Sequence, residues 1–210
     1  MLFKNTVEPT TWRILVDLMK DDFLQPFFLV GGTALSLKYG HRTSIDIDLF
    51  TTIEFDVLEL KNHLEKNYSN FDFKGSNNKM LFCFIDDVKV DFVKYTIIHP
   101  LKEIEIIESV RFASTEDIAA LKLNAISQRG SKKDFYDLYL LLQHYTVEQL
   151  IEFYKSVFTK DNAFELYRSM NYFDDAEDTI QPIYFGYEKW ETIKSVINQK
   201  IIEYFNRLKK

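Results

Sequence analysis

The chain has 210 residues, 46% of them hydrophobic, which is enough apolar material for one large domain or two small ones. Its formal net charge of −6 argues against a broad, sequence-independent nucleic-acid coat, which is normally basic, although a local basic groove is compatible with it. Cys83 is the only cysteine, which excludes an intramolecular disulfide and a cysteine-based zinc site, and no apolar run approaches ~18 residues. We therefore expect a soluble, cytoplasmic protein that does not associate with membranes.

The pattern of apolar residues predicts an α/β (α+β) fold in which a mixed sheet with helices precedes an all-helical part. In chain order, the first part is predicted to contain a helix at 9–21, a strand at 27–30, a helix at 33–39, a strand at 44–50, a helix at 55–67, and strands at 71–74, 80–85 and 88–93. Asp86-Asp87 is predicted to be the turn of a hairpin between the last two strands.

After Ser114 the strand signals fade and helical periodicity dominates. Helices are predicted at 114–128, 131–145, 147–158, 162–171 and 188–209. The expected domains are therefore about 1–113 and 114–210.

The strongest local signal for chemistry is Asp46-Ile47-Asp48. In a strand from Ser44 to Phe50, Ile45, Ile47 and Leu49 would face the core, and the two carboxylates would share the opposite face. Two adjacent like charges repel unless a cation neutralises them, and Mg²⁺ prefers hard oxygen ligands. The alternative is a solvated face of an exposed strand.

Asp91 lies in a strand that otherwise looks buried. If that strand neighbours the first, Asp91 can join the pair, and three convergent carboxylates hold metal ions for displacement at phosphorus. An aspartate paired with Lys89 or Lys94 explains the position equally well.

Gly31, Gly32 and Thr33 lie where a strand turns into a helix, where free N–H groups attract phosphate oxygens. The alternative is an ordinary tight turn with Thr33 as N-cap. Arg42 could bind a phosphate or orient an aspartate, or it could be a surface arginine.

Lys122 lies at the margin of an apolar helix stripe, where it could project into a cleft and neutralise phosphate charge or simply direct its ammonium into water. Asp134 and Asp137 share a helix face. Asp134 also fits a capping box with Ser131, and both roles could hold at once.

The order of these motifs resembles the AbiEii-type toxins of the DNA polymerase β-like nucleotidyltransferase superfamily. The resemblance covers roughly residues 27–200 and includes the segments around Gly31-Gly32-Thr33, His41-Arg42-x-Ser44-x-Asp46-x-Asp48, Lys122, Lys133-Asp134 and Tyr172-Phe173-Asp174-Asp175. This sequence has Gly32-Thr33 where the superfamily more often has Gly-Ser, and a hydroxyl is retained.

The resemblance implies a nucleotidyltransferase-fold core domain, followed by a helical domain that completes the active-site cleft. It implies one or two Mg²⁺ ions on Asp46, Asp48 and Asp91, catalytic roles for Lys122 and Asp134, and nucleotide binding by Gly31, Gly32, Thr33 and Arg42. It further implies a toxin of an abortive-infection or toxin–antitoxin system with an NTP substrate, an RNA acceptor such as tRNA or a protein acceptor, and a cognate antitoxin. An NTP-binding regulatory or interaction module without turnover is the alternative.

Overall fold

The computed structural model of the chain describes residues 1–95, 100–158 and 163–208. These residues form two compact units. Unit 1 contains residues 1–95 and 103–114, and unit 2 contains residues 100–102, 115–158 and 163–208. The sheet lies in unit 1, and unit 2 is built from helices.

Unit 1 contains a mixed sheet flanked by helices. Its helices are α1 (Pro9–Lys20), α2 (Gly31–Tyr39) and α3 (Val57–Asn67), and its strands are β1 (Phe28–Val30), β2 (Ile47–Thr51), β3 (Phe71–Asn77), β4 (Met80–Ile85), β5 (Val88–Lys94), β6 (Glu105–Ile107) and β7 (Val110–Phe112). The strand order is β3-β4-β5-β2-β1-β7-β6. The pairs β2–β5 and β1–β7 are parallel, and the other neighbours are antiparallel. The predicted fold class is confirmed.

The prediction that a strand begins at Ser44 and turns Ile45 towards the core is wrong. Ile45 is 66% exposed, and β2 begins only at Ile47. The preceding residues are held by other contacts, since the Ser44 N–H donates to the carbonyl of Thr6 at 2.8 Å. From Ile47 onward the alternation is as predicted, with Ile47 and Leu49 buried and Asp48 half-buried.

Two short strands, β6 and β7, were not predicted. They form a hairpin whose turn is Glu108-Ser109, and β7 joins the sheet through a parallel pairing of Phe112 with Leu29. The predicted hairpin turn at Asp86-Asp87 is confirmed, because both residues have the positive φ angles (47° and 63°) of a tight hairpin turn.

Unit 2 contains α4 (Thr115–Gln128), α5 (Lys132–His144), α6 (Val147–Val157), α7 (Ala163–Asn171), α8 (Asp174–Glu177) and α9 (Trp190–Leu208). All except the one-turn α8 were predicted to within about two residues, and the predicted limits at Asn162 and Lys209 lie outside the described residues. None of the helices in the described ranges is long and apolar enough to cross a membrane.

Candidate active site

Two aspartates of unit 1 lie side by side at the centre of the sheet. Asp48 on β2 and Asp91 on β5 are Cα partners in a parallel pairing, and Asp48 is also paired with Val30, the last residue of β1. Both aspartates occupy the half-buried positions of strands whose alternate residues are buried. The sheet register therefore places the two carboxylates on one face, next to the point where β1 ends.

Asp91 is held by a lysine of its own strand. The Lys89 ammonium lies 2.5 Å from Oδ2 of Asp91, whose side chain is 13% exposed, whereas the Lys89 side chain is 43% exposed. The other oxygen, Oδ1 of Asp91, is buried and accepts no hydrogen bond from the residues that the structure describes. Asp91 thus keeps one carboxylate oxygen available for a further ligand.

Asp46 is half-buried in the loop that precedes β2. Burial opposes the charge of Lys89, but the hydrogen bond to Asp91 and the charges of Asp91, Asp48 and Asp46 outweigh it and raise the pKa of Lys89. All three aspartates therefore act electrostatically on one ammonium. Within residues 1–95, 100–158 and 163–208, no group of three or more His, Cys, Asp or Glu side chains is arranged to hold a metal ion.

Gly31 and Gly32 make room for functional side chains at the start of α2. A Cβ on Gly31, whose φ is +73°, would collide with Oδ2 of Asp48, and a Cβ on Gly32 would collide with Nη2 of Arg42. Both collisions would be with polar ends of site residues. The two glycines are therefore needed for the close approach of Asp48 and Arg42 to the helix start.

Thr33 is the third residue of α2, and Val30, not Thr33, occupies the N-cap position. The Thr33 hydroxyl is buried, lies 2.9 Å from the hydroxyl of Ser44, and donates to the carbonyl of Asp46. This side chain therefore fixes the loop that carries Asp46.

Arg42 is buried, with 2% exposure, and is not a surface arginine. Its Nη1 donates to the carbonyl of Thr43 at 2.8 Å. The guanidinium lies against Gly32, so its charge is located at the start of α2.

The other two predicted site residues, Lys122 on α4 and Asp134 on α5, lie together in unit 2. The Lys122 ammonium is 3.2 Å from Oδ1 of Asp134 and 2.6 Å from Oδ2 of Asp137, and both aspartate side chains are fully buried. The interpretation of Lys122 as a lysine with its ammonium in water is wrong, because its side chain is only 7% exposed. The helical spacing places Asp137 on the same face as Asp134, but it does not predict the contact of Asp137 with Lys122.

Asp134 also caps α5, as predicted. Its carboxylate accepts the Ser131 N–H, and the Ser131 hydroxyl lies 2.6 Å from Oδ2 of Asp134. Burial alone would raise the pKa of Asp134, but the charges of Lys122 and Arg129 and the hydrogen bonds from Ser131 and Arg129 lower it to about 2. Asp134 is therefore ionised at neutral pH.

Comparisons with known proteins identify the family of the chain. A family described as "Nucleotidyl transferase AbiEii toxin, Type IV TA system" matches residues 13–199. An uncharacterized protein of Aquifex aeolicus (strain VF5) is 32% identical over an alignment of 185 residues, which covers 85% of this chain and 87% of that protein.

Two solved structures share the fold. The nucleotidyltransferase toxin MenT4 of Mycobacterium tuberculosis H37Rv has a TM-score of 0.54 at 13% identity, covering 83% of this chain and 74% of the other. The antibiotic-resistance factor ANT(2″)-Ia has a TM-score of 0.55 at 17% identity, covering 77% of this chain and 98% of the other. Because the family match spans most of the sequence, the chain belongs to the AbiEii nucleotidyltransferase toxins of type IV toxin–antitoxin systems.

Proposed function

We propose that this nucleotidyltransferase moves a nucleotidyl group from an NTP to an acceptor hydroxyl, with Asp48 and Asp91 at the reacting centre. The observation that carries the proposal is their pairing on parallel strands, beside the glycines with which α2 begins. A carboxylate pair next to a helix start can serve a metal-bound triphosphate, because the helix start offers N–H groups to phosphate oxygens.

Asp48 and Asp91, which the sheet register pairs, would hold one or two Mg²⁺ ions, and Asp46 would join them as a third ligand only if the loop before β2 brought it closer, since the three do not form a metal-binding group as they stand. The donor set consists of hard oxygens, which suit Mg²⁺, and the buried Oδ1 of Asp91 lacks a hydrogen-bond partner among the described residues, as a metal ligand would before binding. A bound ion would stabilise charge on the triphosphate and lower the pKa of the acceptor hydroxyl.

In the reaction, the acceptor oxygen forms a bond to the α-phosphorus while the bond to the oxygen that bridges the α- and β-phosphates breaks. Pyrophosphate leaves with that electron pair, and the hydroxyl proton passes to a base. We propose that Asp91 favours this deprotonation as a ligand of the bound ion, and we assign the Gly31, Gly32 and Thr33 amides with the Arg42 guanidinium to holding the phosphates.

We propose that Lys122 and Asp134 of unit 2 are also required for transfer. A pKa of about 2 makes Asp134 a poor base at neutral pH, since an effective base has a pKa near the working pH. Its contact with the Lys122 ammonium supports an orienting role instead.

The family supports a biological setting in which the chain acts as the toxin, uses an NTP and is opposed by a cognate antitoxin. We propose RNA, with tRNA as the first candidate, as the acceptor, and a protein hydroxyl as the second. The setting would be an abortive-infection or type IV toxin–antitoxin system.

The test is transfer of label from each of four α-labelled NTPs to total RNA and to total protein in the presence of Mg²⁺. Asp48→Asn should reduce transfer at least about 100-fold, because it removes a charge at the reacting centre. The matched control is Asp72→Asn, which removes an exposed carboxylate of the same sheet and should leave transfer within about twofold of the wild type. Equal transfer by Asp48→Asn and the wild type rejects the proposal.

A further inference from the structure

Lys89 holds a positive charge against the aspartates of the candidate site. Its ammonium donates to Oδ2 of Asp91 at 2.5 Å, and the charges of Asp48 and Asp46 act on it as well. Lys89 lies two residues before Asp91 on β5, so both side chains leave the same face of the strand.

The neighbouring carboxylates of Asp48 and Asp91 repel each other unless a cation lies close to them. Neighbouring carboxylates raise one another's free energy, and a positive group among them offsets that repulsion. The Lys89 side chain is 43% exposed, so the ammonium can reach water by rotating about the bonds of its flexible stem. A divalent ion on the same carboxylates would repel the ammonium from that place.

We infer that Lys89 is a positioning residue of the proposed metal site, whose ammonium offsets the charge of Asp91 until a divalent cation displaces it. The inference rests on the proposed function. The buried Oδ1 of Asp91, which accepts no hydrogen bond from the described residues, gives the incoming ion a first ligand while Oδ2 still holds the ammonium. Lys89 therefore competes with the metal and sets how tightly it binds.

The test is Mn²⁺ titration of the full chain, followed by the electron paramagnetic resonance signal of free Mn²⁺, with wild type and Lys89→Met. The variant should bind Mn²⁺ about fivefold more tightly, because the competing charge is gone. In EDTA its melting temperature should fall by about 3 °C, because Asp91 loses the ammonium that is paired with it, and Mn²⁺ should reverse the fall.

The matched control is Lys74→Met. Lys74 has the same two-residue spacing from an aspartate on a strand, with its ammonium 2.5 Å from Oδ2 of Asp72, but both side chains are more than half exposed. Its removal should change neither Mn²⁺ affinity nor the melting temperature in EDTA. Lys89→Arg keeps the charge and should stay close to the wild type.

Unchanged or weaker Mn²⁺ binding by Lys89→Met overturns the inference. Weaker NTP binding at unchanged Mn²⁺ affinity would also overturn it, since the ammonium would then serve the phosphates. Failure of the proposed function looks different: Asp48→Asn would bind Mn²⁺ as tightly as the wild type, which overturns both.

Discussion

At the scale of single residues, the site depends on the absence of a side chain at Gly31. A methyl group there would meet the Asp48 carboxylate, and the φ of +73° is unfavourable for any residue with a side chain. Gly31→Ala should therefore displace Asp48 and abolish label transfer, while it destabilises the protein by about 1–2 kcal/mol, measured by urea unfolding.

The control for this change is Gly75→Ala. Gly75 lies in β3, and a Cβ there would meet nothing within 4 Å. That variant should keep full transfer activity. A Gly31→Ala protein that is as active as the wild type would show that Asp48 does not need its place beside the helix start.

The sequence predicts on which strand face the candidate residues of unit 1 lie better than it predicts what they contact. Strict alternation in β2 and β5 is enough to place Asp48 and Asp91 on the less buried face of their strands. The burial of Arg42 and the bond between Thr33 and the Asp46 carbonyl depend on residues that approach through the fold. Local periodicity carries no information about such contacts.

At the scale of elements, two hairpin turns of the same kind differ in how visible they are in the sequence. Asp86-Asp87 separates two strands of six or seven residues, whereas Glu108-Ser109 separates strands of only three. Three residues are too few to show an alternation. β7 is also stabilised by pairing with β1, far away in the chain, which explains why the second hairpin was not predicted.

Replacing Ser109 by glycine should stabilise the turn at Glu108-Ser109. Ser109 has a φ of +67°, is exposed, and makes no side-chain hydrogen bond among the described contacts. Ser109→Gly removes the strain of a positive φ and should raise the free energy of unfolding by about 1 kcal/mol in urea titrations.

The neighbouring position provides the control. Glu108 has a similar φ of +48°, but its carboxylate accepts the Leu2 N–H at 2.9 Å and pairs with Lys4 at 2.7 Å. Glu108→Gly loses these contacts and should stabilise the protein less than Ser109→Gly. A destabilised Ser109→Gly variant would mean that its side chain contributes more than the backbone strain costs.

At the scale of the whole molecule, the order of motifs was more informative than any one of them. Each motif has an ordinary structural explanation when it is taken alone: Gly-Gly, Asp-x-Asp, and the later lysine and aspartate. Their order along the chain nevertheless predicts the family whose match covers residues 13–199. The buried ion-pair cluster in unit 2 was not predictable in the same way. Lys122 lies on α4 and Asp137 on α5, so their contact depends on how the two helices pack.

Each unit carries one tryptophan, which allows that cluster to be tested where it lies. Trp12 belongs to unit 1, and Trp190 is buried in unit 2, where it stacks on Tyr136 of the helix that carries Asp134. In a Trp12→Phe background, urea unfolding can be followed by the fluorescence of Trp190 alone. Lys122→Met should lower the free energy of unfolding measured in this way by about 3 kcal/mol at pH 7. The reason is that the change leaves buried carboxylates without their main counter-charge.

The pH dependence of that loss identifies its cause. In the wild type the pKa of Asp134 is depressed to about 2, so its stabilising contribution is complete above the pKa of the unfolded chain and is lost as the pH falls towards 2. In Lys122→Met we expect burial to outweigh the remaining Arg129 charge and the hydrogen bonds from Ser131 and Arg129, so that the pKa of Asp134 rises above that of the unfolded chain. The loss in free energy of unfolding caused by Lys122→Met should therefore be smaller at pH 5 than at pH 7.

The control is Lys200→Met, which removes a lysine of unit 2 that donates to the Leu142 carbonyl. This variant should show no such dependence on pH. An equal deficit at both pH values would assign the loss to packing instead of charge.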